Sequence, residues 1–300
     1  IEKKINQIDW DTVYLDESSM IHISYAAYCL LKLKTNEFIF SGDPFQIQPI
    51  MAYKEWGDLN IYEMFELKSF ESPKTAPKEY KIATLNTQYR SIEDIGGLFS
   101  HFTYGGGIKS AKKIDERNPL SFGAKTLNPF TIMRFPVDGS ERLFKPIRLG
   151  YSPYHIYSAI YSVEAAKYVA AQIQEQWKNK NQNTKINDDL DIEEINQKKW
   201  TIGIICPYKA QSQLVERLIP DRKDTDKFLI LSGTVHSFQG DECDIVINLL
   251  NTPPGLLGPG ISLNNKNIIN VSIRVISIFK DTKFCSWYII FFTKFFCENF

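Results

Sequence analysis

Two stretches near the start of the chain carry residue types that could do chemistry. Asp16 and Glu17 stand side by side at the end of the apolar run TVYLD, Thr12 to Asp16. Successive side chains on a strand point in different directions, so adjacent acids can divide their work. One could hold Mg2+ through water while the next orients or deprotonates an attacking water. A solvated acidic pair is the plain alternative, and Ser18 and Ser19 behind it would also suit a helix cap. The second stretch is SGDPFQIQPI, Ser41 to Ile50, directly after the run FIF. Gly42-Asp43-Pro44 makes a tight turn there. Gln46 then offers an amide that both donates and accepts, suited to a γ-phosphate oxygen and the attacking water together. Taken alone, it is a turn with an incidental glutamine.

Such residues need strand ends to hold them. TVYLD, EFIFSGD (Glu37 to Asp43), TIGIICP (Thr201 to Pro207) and DIVINLL (Asp244 to Leu250) read as buried parallel strands. Ligand sites in parallel sheets lie just beyond the carboxyl ends of strands. A helix is expected from Ser162, with Val163, Ala166, Val169, Ala170, Ile173 and Trp177 on one stripe and Glu164 in its first turn. A second follows Pro207 through Ala210, Leu214, Val215 and Leu218. The alternation argues for α/β layers around a parallel sheet. The polar segment 178–199 reads as a solvated insertion loop.

The bulk numbers bound the rest. The 300 residues are 43% apolar and 23% charged, a globular composition with ample core. Basic and acidic side chains balance at 35 each, so any nucleic-acid affinity must come from a local groove. Five scattered cysteines without a C-x-x-C pair argue against a disulfide framework and a zinc site, and for a reducing, cytoplasmic setting. The apolar stretch from Phe284 to Cys297 contains Lys294 and is too short for a membrane span.

Five segments together resemble a known family. DESS (16–19) resembles the Walker B motif of superfamily 1 nucleic-acid helicases, and SGDPFQIQP resembles their motif III. LNTQYRS (Leu85 to Ser91) is similar to their motif holding a Gln-Tyr-Arg triplet. IGIICPYKAQ (Ile202 to Gln211) resembles the opening of the later half of the second RecA-like domain, and GTVHSFQGDECDIVI (Gly233 to Ile247) resembles motif V. Their order and spacing are those of the branch typified by the nonsense-mediated-decay helicase and its bacterial relatives.

The resemblance implies RecA-like parallel sheets flanked by helices, an ATP site between two lobes, and DNA or RNA crossing both. Residues 1–75 would be the remainder of the first RecA-like domain and 76–300 the second. Asp16 would organise Mg2+, Glu17 would be the catalytic base, and Gln46 would sense the γ-phosphate. Arg90 would reach that phosphate as an arginine finger, its guanidinium always charged and forked for phosphate oxygens. Tyr89 would stack on adenine, a core tyrosine being the alternative. Glu242 resembles the acid that binds the ribose. Gly233 and Gly240 bracket a loop whose backbone approaches ligand. Thr234, His236 and Gln239 would couple that loop to the nucleic-acid backbone. His236 has no Cys or His partner nearby for a metal.

Three departures matter. No stretch fits the phosphate-loop pattern G-x-x-x-x-G-K-[ST]; in YGGGIKSAKK (Tyr104 to Lys113) Ile108 separates Gly107 from Lys109, and the segment reads as a surface loop. The family's Walker A half is therefore expected upstream of Ile1, as a missing partner for this chain, which alone should not hydrolyse ATP. In NVSIRVISIFKD (Asn270 to Asp281), Arg274 follows Asn270 by four residues where the family's arginine follows by five. On a strand that slip turns the side chain to the other face. From about Ile273 the text resembles nothing in the family. A frameshifted tail lacking the closing strand of the second lobe is expected, leaving a non-catalytic fragment that at most binds nucleic acid as the rival reading.

Overall fold

The computed structural model describes residues 8–49, 59–65, 67, 81–112, 120–122, 124–128, 130–134, 147–183, 200–221, 228–239, 241–249, 266–274 and 288–293. In chain order the elements are β1 (Asp9–Leu15), a 3-10 turn (Ser18–Met20), α1 (Ile23–Lys32), β2 (Lys34–Phe40), α2 (Ile61–Met64), β3 (Thr87–Ile92), α3 (Glu93–Tyr104) and β4 (Lys109–Lys112). There follow β5 (Ser121–Phe122), β6 (Lys125–Thr126), β7 (Phe130–Arg134), β8 (Ile147–Leu149), β9 (Ser152–Tyr154), α4 (Ile156–Asn183), β10 (Trp200–Cys206) and α5 (Lys209–Leu218). The last are β11 (Phe228–Thr234), β12 (Ile245–Leu249), α6 (Lys266–Arg274) and β13 (Tyr288–Thr293).

The main sheet has five strands in the order β11-β10-β12-β13-β7, and every pairing is parallel. Parallel strands covered on both faces need no polar alternation, which is why TIGIICP and DIVINLL read as unbroken apolar runs. Ile202–Cys206 and Ile245–Leu249 are buried as expected. Strand geometry still sorts their side chains. Ile245, Ile247 and Leu249 join Ile202, Ile204 and Cys206 against α4 and α5, where Val163, Ala166, Val169, Ala170 and Val215 complete the layer. Val246 and Ile205 face the other way, toward Ile95 and Phe99 of α3 and Ile268, Val271 and Ile273 of α6.

β1 and β2 form a separate two-stranded parallel sheet, paired from Asp9 opposite Lys34 to Leu15 opposite Phe40. They are parallel as expected, but they are not buried: no residue of either strand is fully covered, and Tyr14 is 60% exposed. Among the described residues each of these strands has one neighbour, and an apolar run alone does not say how many neighbours its strand will have.

Other expectations need correction. α4 begins at Ile156, ahead of Ser162, so Glu164 lies inside the helix and pairs with Lys167 one turn on. α4 also runs to Asn183, so the start of the polar segment read as loop is helical; 184–199 lie outside the described residues. Polar side chains on a solvated helix face look like loop to any composition argument. Lys109–Lys112, also read as loop, is strand β4, parallel to β3. Asn270–Arg274 is helical, so the one-residue slip rotates Arg274 about the helix and does not flip it across a sheet. Tyr288–Thr293, within the tail expected to be frameshifted, forms β13, which sits between β12 and β7.

Candidate functional site

β1 and β2 end together, and their backbone pairing continues beyond both. Ser41 N–H donates to Leu15 O at 3.0 Å, and Ser18 N–H donates to Ser41 O at 2.9 Å. This fixes the two strand-end loops on each other. Gly42 makes the crossing possible. It has φ +146°, and a Cβ there would meet Ser18 N and Tyr62 Oη, each at 2.9 Å. Asp16 and Glu17 emerge at this junction, both exposed. The Ser41 hydroxyl donates to Asp16 Oδ1, and so does Glu17 N–H at 2.9 Å. The Ser41 bond first, then the Glu17 amide, hold the Asp16 carboxyl below its usual range.

Glu17 has φ 48° and ψ 43°, and among the described residues it alone is a non-glycine with positive φ. That conformation costs an L-residue on the order of 1–3 kcal/mol, and such strain concentrates at functional sites. Tyr62 of α2 closes the back of the junction. Burial, and then the nearby charges of Asp43, Glu17 and Asp16, push its phenol up to about 12. It therefore remains a neutral donor beside three carboxylates.

Gln46 lies on the turn after β2. Asp43 shapes that turn: its Oδ1 accepts Phe45 N–H at 2.9 Å and its carbonyl accepts Gln46 N–H at 3.1 Å. Ile47, 4% exposed, buries into the core beside Ile95, Phe99 and Val271. Gln46 Oε1 in turn accepts from Gln239 Nε2 at 3.0 Å. Two residues chosen for different roles, one at phosphate and one at nucleic acid, are thus in direct contact.

Gln239 belongs to the turn that follows β11. Gly233 opens it, and a Cβ there would strike Ser237 Oγ and come within 2.9 Å of Phe238. Phe238 N–H donates to Thr234 O at 3.2 Å, and Ser237 Oγ donates to the same carbonyl at 2.8 Å. The Thr234 hydroxyl contacts Ser237 Oγ at 3.4 Å. His236 projects from the turn, exposed. Gly240 lies outside the described residues.

β3 carries the Gln-Tyr-Arg triplet. Gln88 folds inward and braces the strand: its Oε1 accepts the N–H groups of Arg90 and Ser91, each at 2.8 Å, and its Nε2 donates to Ser110 on β4 at 2.6 Å. Tyr89, 69% exposed, is not a core tyrosine. Arg90 is ion-paired with Glu242 at 2.9 Å, both partly exposed. The expected finger and the expected ribose acid are therefore neighbours. The Arg274 side chain is outside what is described.

Among the described residues no three His, Cys, Asp or Glu side chains converge on a metal position. Mg2+ differs from zinc in needing no such cage, since one or two carboxylates complete its shell with waters and phosphates. The charged, oriented Asp16 fits that mode of binding. Cys206 and Cys243 are both pushed up to about 12, chiefly by burial, and are inert thiols. No described helix is long and apolar enough to cross a membrane.

Motif reading missed four residues that organise the site. Ser41 lay inside a quoted motif with no role assigned. Tyr62 sits in no motif. Tyr104 and Asn270 carry no charge and reveal themselves only by contact across the fold. A family model described as an AAA domain matches residues 65–273. No curated protein matches the chain.

Proposed function

The chain belongs to the AAA-domain family of P-loop nucleotide-binding proteins, and from that premise we propose that it is the ATP-hydrolysing, nucleic-acid-translocating half of a DNA or RNA helicase. Its layers of parallel strands and helices are those of a RecA-like P-loop fold. The observation that carries the functional reading is the Gln46–Gln239 hydrogen bond at 3.0 Å. It joins the turn after β2, beside the strained acidic pair, to the turn after β11. A motor needs such a link, because a change at a phosphate must be felt where the nucleic acid is held.

In this reading ATP with Mg2+ supplies the phosphoanhydride bond and the charge neutralisation for its cleavage. Asp16, whose carboxyl Ser41 helps hold below its usual range, would hold the cation through water. Glu17 takes the proton of the attacking water, and Gln46 orients that water. Arg90, ion-paired with Glu242, would offer its guanidinium to developing phosphate charge; such groups contribute roughly 10³–10⁵ in rate. Tyr89 presents an open ring for adenine, and Glu242, paired with Arg90 through Oε1, would meet the ribose with its other oxygen. Thr234, His236 and Gln239 face the nucleic-acid backbone. Residues 1–75 act as part of the first RecA-like lobe and 76–300 as the second, in the nonsense-mediated-decay branch, with a cytoplasmic setting and a Walker A half as partner.

The test is Glu17→Gln in the intact native protein, with whatever sequence flanks these residues. The amide keeps the shape and loses the base. ATP binding should persist while nucleic-acid-stimulated hydrolysis disappears. Near-normal hydrolysis would dismiss Glu17 as the base. The absence of a G-x-x-x-x-G-K-[ST] stretch from the 300 residues supports a second reading, in which this chain by itself binds nucleic acid without turning over ATP. A turnover on the order of 1 s⁻¹ by the isolated chain, abolished by Glu17→Ala, would dismiss that one.

A further inference from the structure

We propose that Tyr104 is a positioning residue for the turn that carries Gln46, acting with Asn270 as a hydrogen-bonded latch. The turn is held by more than its own backbone. Asp43 uses Oδ1 to shape the turn, and its other oxygen, Oδ2, accepts from the Tyr104 hydroxyl. Tyr104 is the last residue of α3 and only 3% exposed. Its oxygen also accepts from Asn270 Nδ2 at 2.9 Å, and the same Asn270 nitrogen donates to Phe45 O at 3.0 Å.

The directions of these bonds are forced. Phe45 O is a carbonyl and can only accept, so the Asn270 nitrogen must face it. That nitrogen therefore also donates to the phenol oxygen, which leaves the phenol proton for Asp43, a carboxylate. Asn270 thus grips the turn twice, once at Phe45 O and once through Tyr104. The Phe45 ring meets the Tyr104 ring edge-on at 5.3 Å and 82°, so the contact has a fixed apolar side as well.

A second observation separates this from ordinary core packing. Asn270 is fully buried on α6, near Ile268 and Val271, and its Oδ1 has no hydrogen-bond partner among the described residues. A buried unsatisfied acceptor is costly. An aliphatic residue would avoid that cost, so the amide is explained by its donors. The latch connects α3 and α6, which pack on the main sheet, to the turn beside Asp16 and Glu17. Any shift of α6 against β2 must be registered by Asp43 and Phe45, which lie on the turn just before Gln46.

This rests on the reading of Gln46 as a phosphate contact, and the experiment separates the two ideas. Tyr104→Phe keeps the ring and removes only the hydroxyl; Asp43→Asn keeps the turn-shaping oxygen and weakens the bond to Tyr104. In the 300-residue chain, hydrogen exchange at the Phe45 and Gln46 amides should accelerate at least tenfold in both variants, with β10 and β12 unchanged. Unchanged exchange in the turn would overturn the proposal. So would a uniform loss of protection over the whole sheet, which is the signature of a general core role. In the intact native protein, Tyr104→Phe should lower kcat for nucleic-acid-stimulated ATP hydrolysis about tenfold and leave KM for ATP within twofold. A rise in KM alone would overturn the positioning of Gln46. A wild-type protein that hydrolyses no ATP would remove the reading of Gln46, whereas the exchange result would still decide the latch.

Discussion

Replacing Glu17 by glycine should leave the protein more stable than replacing it by alanine, while either change should abolish its chemistry. Glu17 holds φ 48° and ψ 43°, where the Cβ of an L-residue crowds its own backbone. The left-handed conformation costs roughly 1–2 kcal/mol for a residue with a Cβ. Glycine escapes that cost but loses about 0.5–1 kcal/mol through the greater freedom of its unfolded chain. The difference leaves Glu17→Gly about 0.5–1 kcal/mol more stable than Glu17→Ala, which lacks the same carboxylate but retains the strain. Alanine is the proper reference because any contact of the glutamate side chain is lost in both. With a urea slope of about 3 kcal/mol/M, the glycine midpoint should lie about 0.2–0.3 M above the alanine midpoint. Both variants should lack nucleic-acid-stimulated hydrolysis in the intact protein. A glycine variant no more stable than the alanine variant would refute the argument, because Glu17 would then carry no stored strain.

Three further outcomes can be measured directly. Arg90→Ala should cut turnover at least tenfold with little change in nucleic-acid affinity, and a double-mutant cycle with Glu242→Gln should give a coupling below about 1 kcal/mol, because the pair is partly exposed. Ile247→Ala, at a fully buried position in the centre of the main sheet, should cost about 2–5 kcal/mol in denaturant unfolding. The Asp16 carboxyl should titrate by NMR below the ordinary aspartate range and return toward it in Ser41→Ala. Because the folded value is depressed, any stability from Asp16 is present above the unfolded value and is lost as pH falls through the folded one. The same direction predicts that Mg2+ binding at Asp16 survives mild acid better in wild type than in Ser41→Ala.

The sequence foretold some of this arrangement, and the misses have physical causes. Ile202, Ile204, Ile245 and Ile247 announced buried parallel strands because such strands are apolar on both faces. The acidic pair and Gln46 were legible because strand-end chemistry uses few residue types at short spacings. Exposure was not legible: Val13 and Phe38 look like core, yet among the described residues their sheet has two strands and neither residue is fully buried. Nor was the helix through Asn183, since charged and amide side chains serve a solvated helix as well as a loop. The run at Tyr288–Thr293 carries no polar alternation to mark it as a strand, and a parallel strand with neighbours on both sides needs none. Tyr104, Asn270 and Asp43 are far apart in sequence, and nothing local marks them as partners.

The position of β13 also sets the order in which the molecule can be assembled. Phe130 pairs with Ile289, while β10 and β12 pair with each other and with β11. A growing chain that has reached Leu249 therefore already contains every strand of a compact three-stranded ladder. β7, made much earlier, must wait for β13, because β13 is its neighbour and separates it from β12. Closing that gap is a contact of very high sequence separation, the kind that slows folding and leaves unpaired edges exposed in the meantime. β12 and β7 are the edges in question, each open on the side where β13 will dock. Removing the residues from Tyr288 onward would therefore do more than shorten the chain: it would leave a three-stranded sheet, cut β7 off from it, and expose the edge of β12 to pairing with another copy.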